Sequence, residues 1–261
     1  MTHHNYGEAQ EFLMRELRLM TAPIAIKYFF DEQELEAFRA KASHYVPVKP
    51  ITFCQAEIGA RMEDLAVLVE PKKLGCANAR YVFGWKDFDE AEVKSHIKYC
   101  QDMDQAQRFV QSKPRLQDDR TLLAVAVAPL ALATEQPDVV HFYCDNMQAY
   151  HLIGDWMASQ DVHPFRPSLS INSAACGGNV FSHNAQQANM FLACSGSYNS
   201  GKTERGELNV SFPFSHLPDM ITRMQKRIEE KGGVSITRLG NPFPGADICK
   251  NCPLISFKKA N

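Results

Sequence analysis

The pattern of apolar positions along the chain contains two stretches that resemble each other. "PIAIKYFFDE" begins at Pro23 and "PDVVHFYCDN" begins at Pro137. Each run is rich in β-branched and aromatic residues, which predicts a buried strand. Each then reaches an aspartate, Asp31 or Asp145, a residue type that often caps a helix N-terminus. The apolar spacing of the segments that follow, "EQELEAFRAKA" and "MQAYHLIGDWMAS", predicts a helix after each strand.

Further short motifs match in the same order. "PVKP" at 47–50 corresponds to "PFRP" at 164–167, "FCQ" to "ACG", and "LGC" to "LAC". We interpret this order as an internal duplication, with chance similarity of short motifs as the alternative. The sequence therefore predicts one mixed α/β domain over 1–261. Its two strand–helix–strand repeats, 17–112 and 113–231, would pack about a pseudo-twofold axis, and a C-terminal extension would cover 232–261.

Each repeat is predicted to close on an amphipathic helix, over 89–112 in the first and 215–231 in the second. Gly232-Gly233 would stop the second of these helices. "TLLAVAVAPL" predicts another buried strand.

Composition narrows the function classes. With 45% hydrophobic residues and a net charge of −2, the chain has an ordinary core and lacks the basic field expected of a nucleic-acid or membrane-surface binder. The most apolar run is too short to span a bilayer, and the N-terminus does not resemble a secretory signal. We therefore expect a cytoplasmic protein, where eight cysteines would stay reduced rather than form disulfides.

Four of the cysteines occupy matching places in the two halves: Cys54, Cys76, Cys176 and Cys194. If the halves pack about a twofold axis, the four thiolates converge, and four thiolates suit an iron–sulfur cluster or a tetrahedral zinc ion. Their separations match no zinc module, and small residues flank three of them, which favours a cluster, most simply of the 4Fe–4S type. Zinc, or a metal-free set of core cysteines, is the alternative.

The C-terminus carries a second cysteine motif, "CKNCP", with Cys249 and Cys252. A C-x-x-C turn presents two thiolates together, so this pair is a candidate second metal site or a dithiol redox pair.

Residues 196–203, "GSYNSGKT", have the letters of a phosphate-binding P-loop, with Gly196, Gly201, Lys202 and Thr203 as its defining positions. A true P-loop leads into a helix, whose N-terminus faces the phosphates. Here "ELNVSFPF" follows, and its period-two pattern predicts a strand. The alternative to nucleotide binding is a polar turn with an exposed lysine.

Lys49 and Arg166 lie between prolines at matching places in the two halves and are candidate anion-binding residues, with ordinary solvated charges as the alternative. No nucleophile-elbow or dinucleotide-binding pattern is present. The sequence therefore indicates no particular enzymatic reaction.

The segments "FCQAEIGA", "LGCANAR", "PDVVHFYCDNMQA", "AACGG" and "LACSGS" resemble the uncharacterised ArCR family of domains of unknown function, from about Leu17 to Leu217. Family members often follow the last cysteine with a Gly and an Arg, whereas this chain has Ser195, Gly196 and Tyr198. The resemblance implies cysteines at the four matched positions and an anaerobic setting. It supplies no reaction, and it includes neither the "GKT" nor the C-terminal pair.

The sequence therefore predicts a cytoplasmic thiolate metal-centre protein that serves electron transfer or redox chemistry on a small ligand. Its partner would be a redox protein or a small-molecule ligand, and the chain could also form a homo-oligomer. We expect it to bind neither nucleic acid nor membrane. The alternative is a non-enzymatic ligand-binding or sensor module with structural cysteines, and nucleotide binding at 196–203 is the third hypothesis.

Overall fold

A computed structural model of the chain describes residues 6–42, 45–47, 49–169 and 172–231. Within these ranges the chain forms ten α-helices and seven β-strands. The helices are α1 (Tyr6–Leu17), α2 (Glu32–Lys41), α3 (Phe53–Glu63), α4 (Ala77–Val82), α5 (Glu90–Lys94), α6 (Met103–Gln111), α7 (Asn146–Gln160), α8 (Ala174–Ala185), α9 (Ser195–Asn199) and α10 (Leu217–Lys231). The strands are β1 (Ile24–Phe29), β2 (Tyr45–Pro47), β3 (Ala66–Val69), β4 (Ala124–Pro129), β5 (Val139–Cys144), β6 (Asn189–Phe191) and β7 (Leu208–Pro213).

The seven strands form one sheet in the order β2-β3-β4-β1-β5-β7-β6. Every neighbouring pair is antiparallel except the edge pair β2–β3, which is parallel. The predicted mixed α/β class is therefore confirmed.

The sheet carries helices on both faces. Ile24, Ile26 and Tyr28 of β1 belong to a core cluster shared with α3, α4 and α8, whereas Ala25 belongs to a cluster shared with α1, α7 and α10. Because successive side chains of a strand point to opposite faces, a strand covered on both faces is apolar almost throughout. All six residues of β4 and all six of β5 are buried for this reason.

The pairing registers of the two sheet halves match. β1 pairs with β4 from Ile24↔Pro129, and β5 pairs with β7 from Val139↔Pro213, each over six residue pairs. Each of these prolines ends its strand and is followed by a short 3-10 helix. The strands β1 and β5 meet at the centre, where Ala25 lies opposite Val140.

The predicted helix caps are confirmed. The carboxylate of Asp31 accepts a hydrogen bond from the backbone N–H of Glu34 at the start of α2, and Asp145 forms a capping box with Gln148 at the start of α7. Strand β7 follows the "GKT" segment, as the alternating pattern predicts.

The prediction of one amphipathic helix over 89–112 is wrong, since this stretch divides into α5, a 3-10 helix at Ile97–Tyr99, and α6. Asp102 starts α6 by accepting a hydrogen bond from the backbone N–H of Gln105. The Asp–x–x–Gln spacing is a second helix-start signal inside an apolar pattern that otherwise runs on without a break. The division brings His96 and Lys98 to the pocket described below.

None of the described helices has both the length and the apolar character that crossing a bilayer requires.

Candidate functional site

Cys54 lies in the first turn of α3. Thr52 caps this helix in a reciprocal capping box with Gln55, so that the cap fixes where the helix begins and therefore where the cysteine points. The chain reaches the cap through Ile51, whose backbone pairs with the segment that leads to Cys76. The two cysteines of the first half are thereby held side by side.

Cys176 lies in the first turn of α8, the 12-residue helix that packs against β6 and β7. Small neighbours let this helix approach the sheet closely. A Cβ atom added at Gly178 would come within 2.3 Å of the Phe191 ring, so the close approach requires glycine there.

Cys76 and Cys194 occupy equivalent places in two short helices, since each is the N-cap residue, of α4 and α9 respectively. Neither uses its side chain to cap the helix. Both thiols therefore remain for other contacts.

All four cysteines line one pocket of about 200 Å³. A water molecule takes roughly 10–15 Å³ by the same measure, so the pocket holds much more than one water. Its wall is made by Thr52, Phe53, Cys54, Cys76, Asn78, Ala79, Ser95, His96, Lys98, Asn172, Ser173, Ala174, Ala175, Cys176, Cys194, Ser195 and Gly196. The described structure thus brings together the cysteines that the sequence matched in pairs.

Burial sets the acidity of the two deepest thiols. Removal from water raises the pKa of Cys54 and of Cys176 above the usual cysteine value, because the thiolate loses its hydration. The neighbouring cysteines and Glu57 raise both pKa values further, since a second negative charge nearby disfavours ionisation. Without a positively charged occupant, these two thiols keep their protons at neutral pH.

A buried lysine lies beside the cysteines. Lys113 is 4% exposed, its Nζ donates a hydrogen bond to the Ser173 hydroxyl at 3.2 Å, and it packs 4.7 Å from the Phe109 ring centroid. Burial lowers the pKa of Lys113 to about 8, an effect that Cys176, Cys194 and Cys76 oppose. The ammonium therefore stays charged at neutral pH and favours negative charge in the pocket.

The P-loop-like segment packs onto this site. The Ser197 hydroxyl lies 3.7 Å from the Cys54 sulfur and 3.6 Å from the Cys194 sulfur, and joins the two cysteines. Gly201 is buried against Cys54, and a Cβ atom there would come within 2.9 Å of the cysteine Cβ and 2.8 Å of a backbone oxygen. Gly196 lines the pocket, Lys202 is exposed, and Thr203 is buried. The second glycine of the motif is thus explained by the cysteine site.

We expect Gly201→Ala to lower the free energy of unfolding by about 1–3 kcal/mol, because the new methyl group overlaps atoms that cannot move independently. Gly206→Ala in the same loop is the matched control, since a Cβ atom there meets nothing within 4 Å. Urea unfolding of the two variants checks the difference. Equal stability of both would contradict the packing of this loop on Cys54.

A buried polar network begins one helical turn beyond Cys54. The Glu57 carboxylate lies 2.8 Å from His141 Nδ1, 2.8 Å from the Tyr143 hydroxyl and 3.0 Å from Asn179 Nδ2. His141 Nε2 in turn lies 3.0 Å from Asn209 Oδ1. Glu57 and His141 are fully buried. Sequence analysis missed this network, although a glutamate three residues after Cys54 and an asparagine three residues after Cys176 were a signal of it.

Arg61 connects the network to the loop that carries Cys194. Its guanidinium lies 3.9 Å from the Tyr143 ring centroid, pairs with Glu207 at 2.7 Å, and donates a hydrogen bond to the carbonyl of Lys202. Hydrogen-bonded side chains of α3, β5, α8 and β7 therefore pack against the cysteine site on its buried side.

Other predicted site residues lie elsewhere. Lys49 and Arg166 are exposed, and neither lines the cysteine pocket. Cys249 and Cys252 lie outside the described residues. Within the described ranges, no three or more His, Cys, Asp or Glu side chains are grouped closely enough to hold a metal ion as they stand.

The fold and the pocket define a mixed α/β protein with a four-cysteine cavity at the N-termini of its helices. The chain belongs to the uncharacterised ArCR family, whose model matches residues 12–223. Neither the curated proteins nor the solved structures contain a match to it.

Proposed function

We propose that this protein holds an iron–sulfur cluster, most simply of the 4Fe–4S type, through Cys54, Cys76, Cys176 and Cys194. The observation that carries the proposal is that these cysteines come from four separate segments and line a single pocket. Cysteine thiolates are the usual ligands of such clusters. Cys144, the buried core cysteine at the end of β5, does not line that pocket.

The size of the cavity favours a cluster over a single zinc ion. Four sulfurs bound to one zinc all lie about 2.3 Å from it, and so form a tight group. The four cysteines here line a cavity of about 200 Å³, which is wider than such a group needs. A polynuclear cluster binds each cysteine at a different iron, so its ligands stand farther apart.

The electrostatic surroundings also suit an anionic centre. The Lys113 ammonium favours negative charge on three of the four cysteines, whereas the buried Glu57 carboxylate disfavours it on Cys54 and Cys176. No carboxylate is among the residues that line the pocket. The first turns of the long helices α3 and α8 carry Cys54 and Cys176, where the helix dipole favours negative charge. Together these groups would offset the charge of bound thiolates.

Cluster binding must displace the protons that burial holds on Cys54 and Cys176. Since their pKa values are raised, uptake of the centre would release protons and would strengthen as pH rises. When bound, the cluster supplies one-electron redox chemistry. This chain's own residues hold it, exclude water with Phe53 and the alanines of α8, and offset its charge with Lys113.

We also propose that the fold arose by duplication, with a pseudo-twofold axis near the Ala25–Val140 pair. The matched registers of β1–β4 and β5–β7, and the proline that ends both β4 and β7, support this. The sheet order supports assigning β4 to the first repeat, so that the boundary between the repeats falls after residue 129 rather than at 112. Under such symmetry Cys54 corresponds to Cys176, and Cys76 to Cys194.

The protein would then work in a reducing, oxygen-poor compartment, as an electron carrier or in redox chemistry on a small ligand. Purification without oxygen, followed by iron, zinc and acid-labile sulfide analysis and a visible spectrum, tests the proposal. Iron and sulfide in near-equal amounts with a reducible chromophore are expected. Zinc alone would replace the cluster with a redox-inactive site. A metal-free protein after attempted reconstitution would leave a ligand-binding module with structural cysteines.

A further inference from the structure

The cysteine pocket has a floor and a mouth of different chemistry. Cys54 and Cys176 are buried and form the floor, whereas Ser95, Lys98 and Ser195 line the same pocket and are exposed. A molecule that enters from solvent therefore meets hydroxyl and ammonium groups before it reaches the sulfurs.

The charge of the mouth is positive. Lys98 is the only lysine or arginine among the residues that line the pocket, and the described residues place no carboxylate within salt-bridge distance of it. Its ammonium lies 5.2 Å from the ring centroid of neighbouring Tyr99. Lys98 thus keeps hydrogen-bonding capacity for a ligand that carries negative charge.

His96 makes the wall beside Lys98. Its Nδ1 lies 2.8 Å from the backbone carbonyl of Glu92 and must donate to it, and its Nε2 lies 3.3 Å from the Asn78 side chain. Burial lowers the pKa of His96, an effect that the hydrogen bond to the Glu92 carbonyl opposes and that Lys113 and Lys98 reinforce. The ring is therefore neutral at pH 7, and the positive charge of this wall comes from Lys98.

Asn172 supplies a second donor. The Ser195 hydroxyl donates a hydrogen bond to its carbonyl oxygen Oδ1 at 3.4 Å. The amide NH₂ group is then left to donate to a ligand. Lys98 and Asn172 line the same pocket, and an ammonium together with an amide offers donors for the two oxygens of a small oxyanion.

We propose that the mouth of this pocket is a binding site for a small oxyanion, a carboxylate or a phosphate, held by Lys98 and Asn172 above the cysteines. The whole pocket measures about 200 Å³, below the 300–1,000 Å³ typical of drug-sized ligands, so an occupant of its mouth has only a few heavy atoms. That the anion would lie next to a redox centre rests on the proposed function. The anion site itself does not depend on a bound cluster.

Calorimetric titration of the anaerobically purified protein with acetate and with inorganic phosphate, at fixed ionic strength, tests this inference. Saturable binding of at least one of them is expected, and the tighter of the two identifies the oxyanion class. Lys98→Met should weaken it about tenfold through loss of a charge-assisted hydrogen bond. Lys94→Met is the matched control, because Lys94 is an exposed lysine on the preceding helix that does not line the pocket.

Asn172→Ala provides a second variant and should weaken binding severalfold, as expected for loss of a neutral hydrogen bond. Absence of saturable binding for both anions, or equal losses in Lys98→Met and Lys94→Met, would overturn the inference. Iron and sulfide are measured on the same samples. Metal-free protein that binds an anion through Lys98 would refute the cluster and support the anion site. Cluster-loaded protein that binds neither anion would support the cluster and refute the anion site.

Discussion

Cys176→Ala is expected to reduce the iron and sulfide content of anaerobically purified protein about tenfold or more. Cys176 is 5% exposed and lies on the floor of the pocket, so no solvent ligand easily replaces its sulfur. Even residues that only contact metal ligands change affinity by roughly 10–100-fold, and loss of a ligand should cost at least as much. Metal analysis and the visible spectrum of the variant measure the effect.

Cys144→Ala is the matched control for this experiment. Cys144 is 2% exposed, lies at the end of β5, and contacts the carbonyl of Leu208 rather than the pocket. Both variants remove one buried sulfur, so both should lose some stability, but only Cys176→Ala should lose metal. Equal metal contents in the two variants would contradict the proposed ligand set. Loss of metal in both would show that overall stability, not ligation, controls loading.

Glu57→Ala is expected to lower the free energy of unfolding by about 3–5 kcal/mol, the range found when one member of a buried charged network is removed. The change leaves the His141 ring, the Tyr143 hydroxyl and the Asn179 amide without their shared acceptor in a water-free interior. Urea unfolding of protein without metal measures the loss, so that cluster content does not enter the comparison.

Glu63→Ala is the control, since Glu63 is an exposed glutamate at the other end of α3. Surface changes of this kind usually stay within about 0.5 kcal/mol. Glu57→Gln keeps the shape of the side chain but turns one acceptor into a donor, and should fall between the two. If Glu57→Ala costs no more than Glu63→Ala, the network does not stabilise the fold.

The local features of this fold could be predicted from short stretches of sequence. Strands β1 and β5 follow from apolar β-branched runs, and the caps at Asp31 and Asp145 follow from residue type and position. These features depend on interactions within a few residues, which a local pattern records. The pairing of Cys54 with Cys176 came from the same kind of comparison between matched segments.

The prediction of the helix over 89–112 was wrong for a related reason. Its apolar spacing is helical throughout, so periodicity alone gives no break. The capping box at Asp89 and the cap at Asp102 start two separate helices, and the segment between them turns to put His96 against Asn78 of α4. A side-chain contact with a distant segment decided the outcome, and periodicity contains no record of such contacts.

The sequence by itself determined the buried strands, the helix caps and the strand that follows the P-loop-like segment. It also determined which four cysteines occupy matching places in the two halves. Only the tertiary structure decided that those cysteines share one pocket, that Lys113 lies beside them, and that Glu57 joins His141 beneath them. Glu57 and His141 are 84 residues apart, and Cys54 and Ser197 are 143 apart. Strand order and helix packing bring such residues together. A sheet can pair strands that are far apart in the sequence, so short stretches of sequence do not record which residues meet.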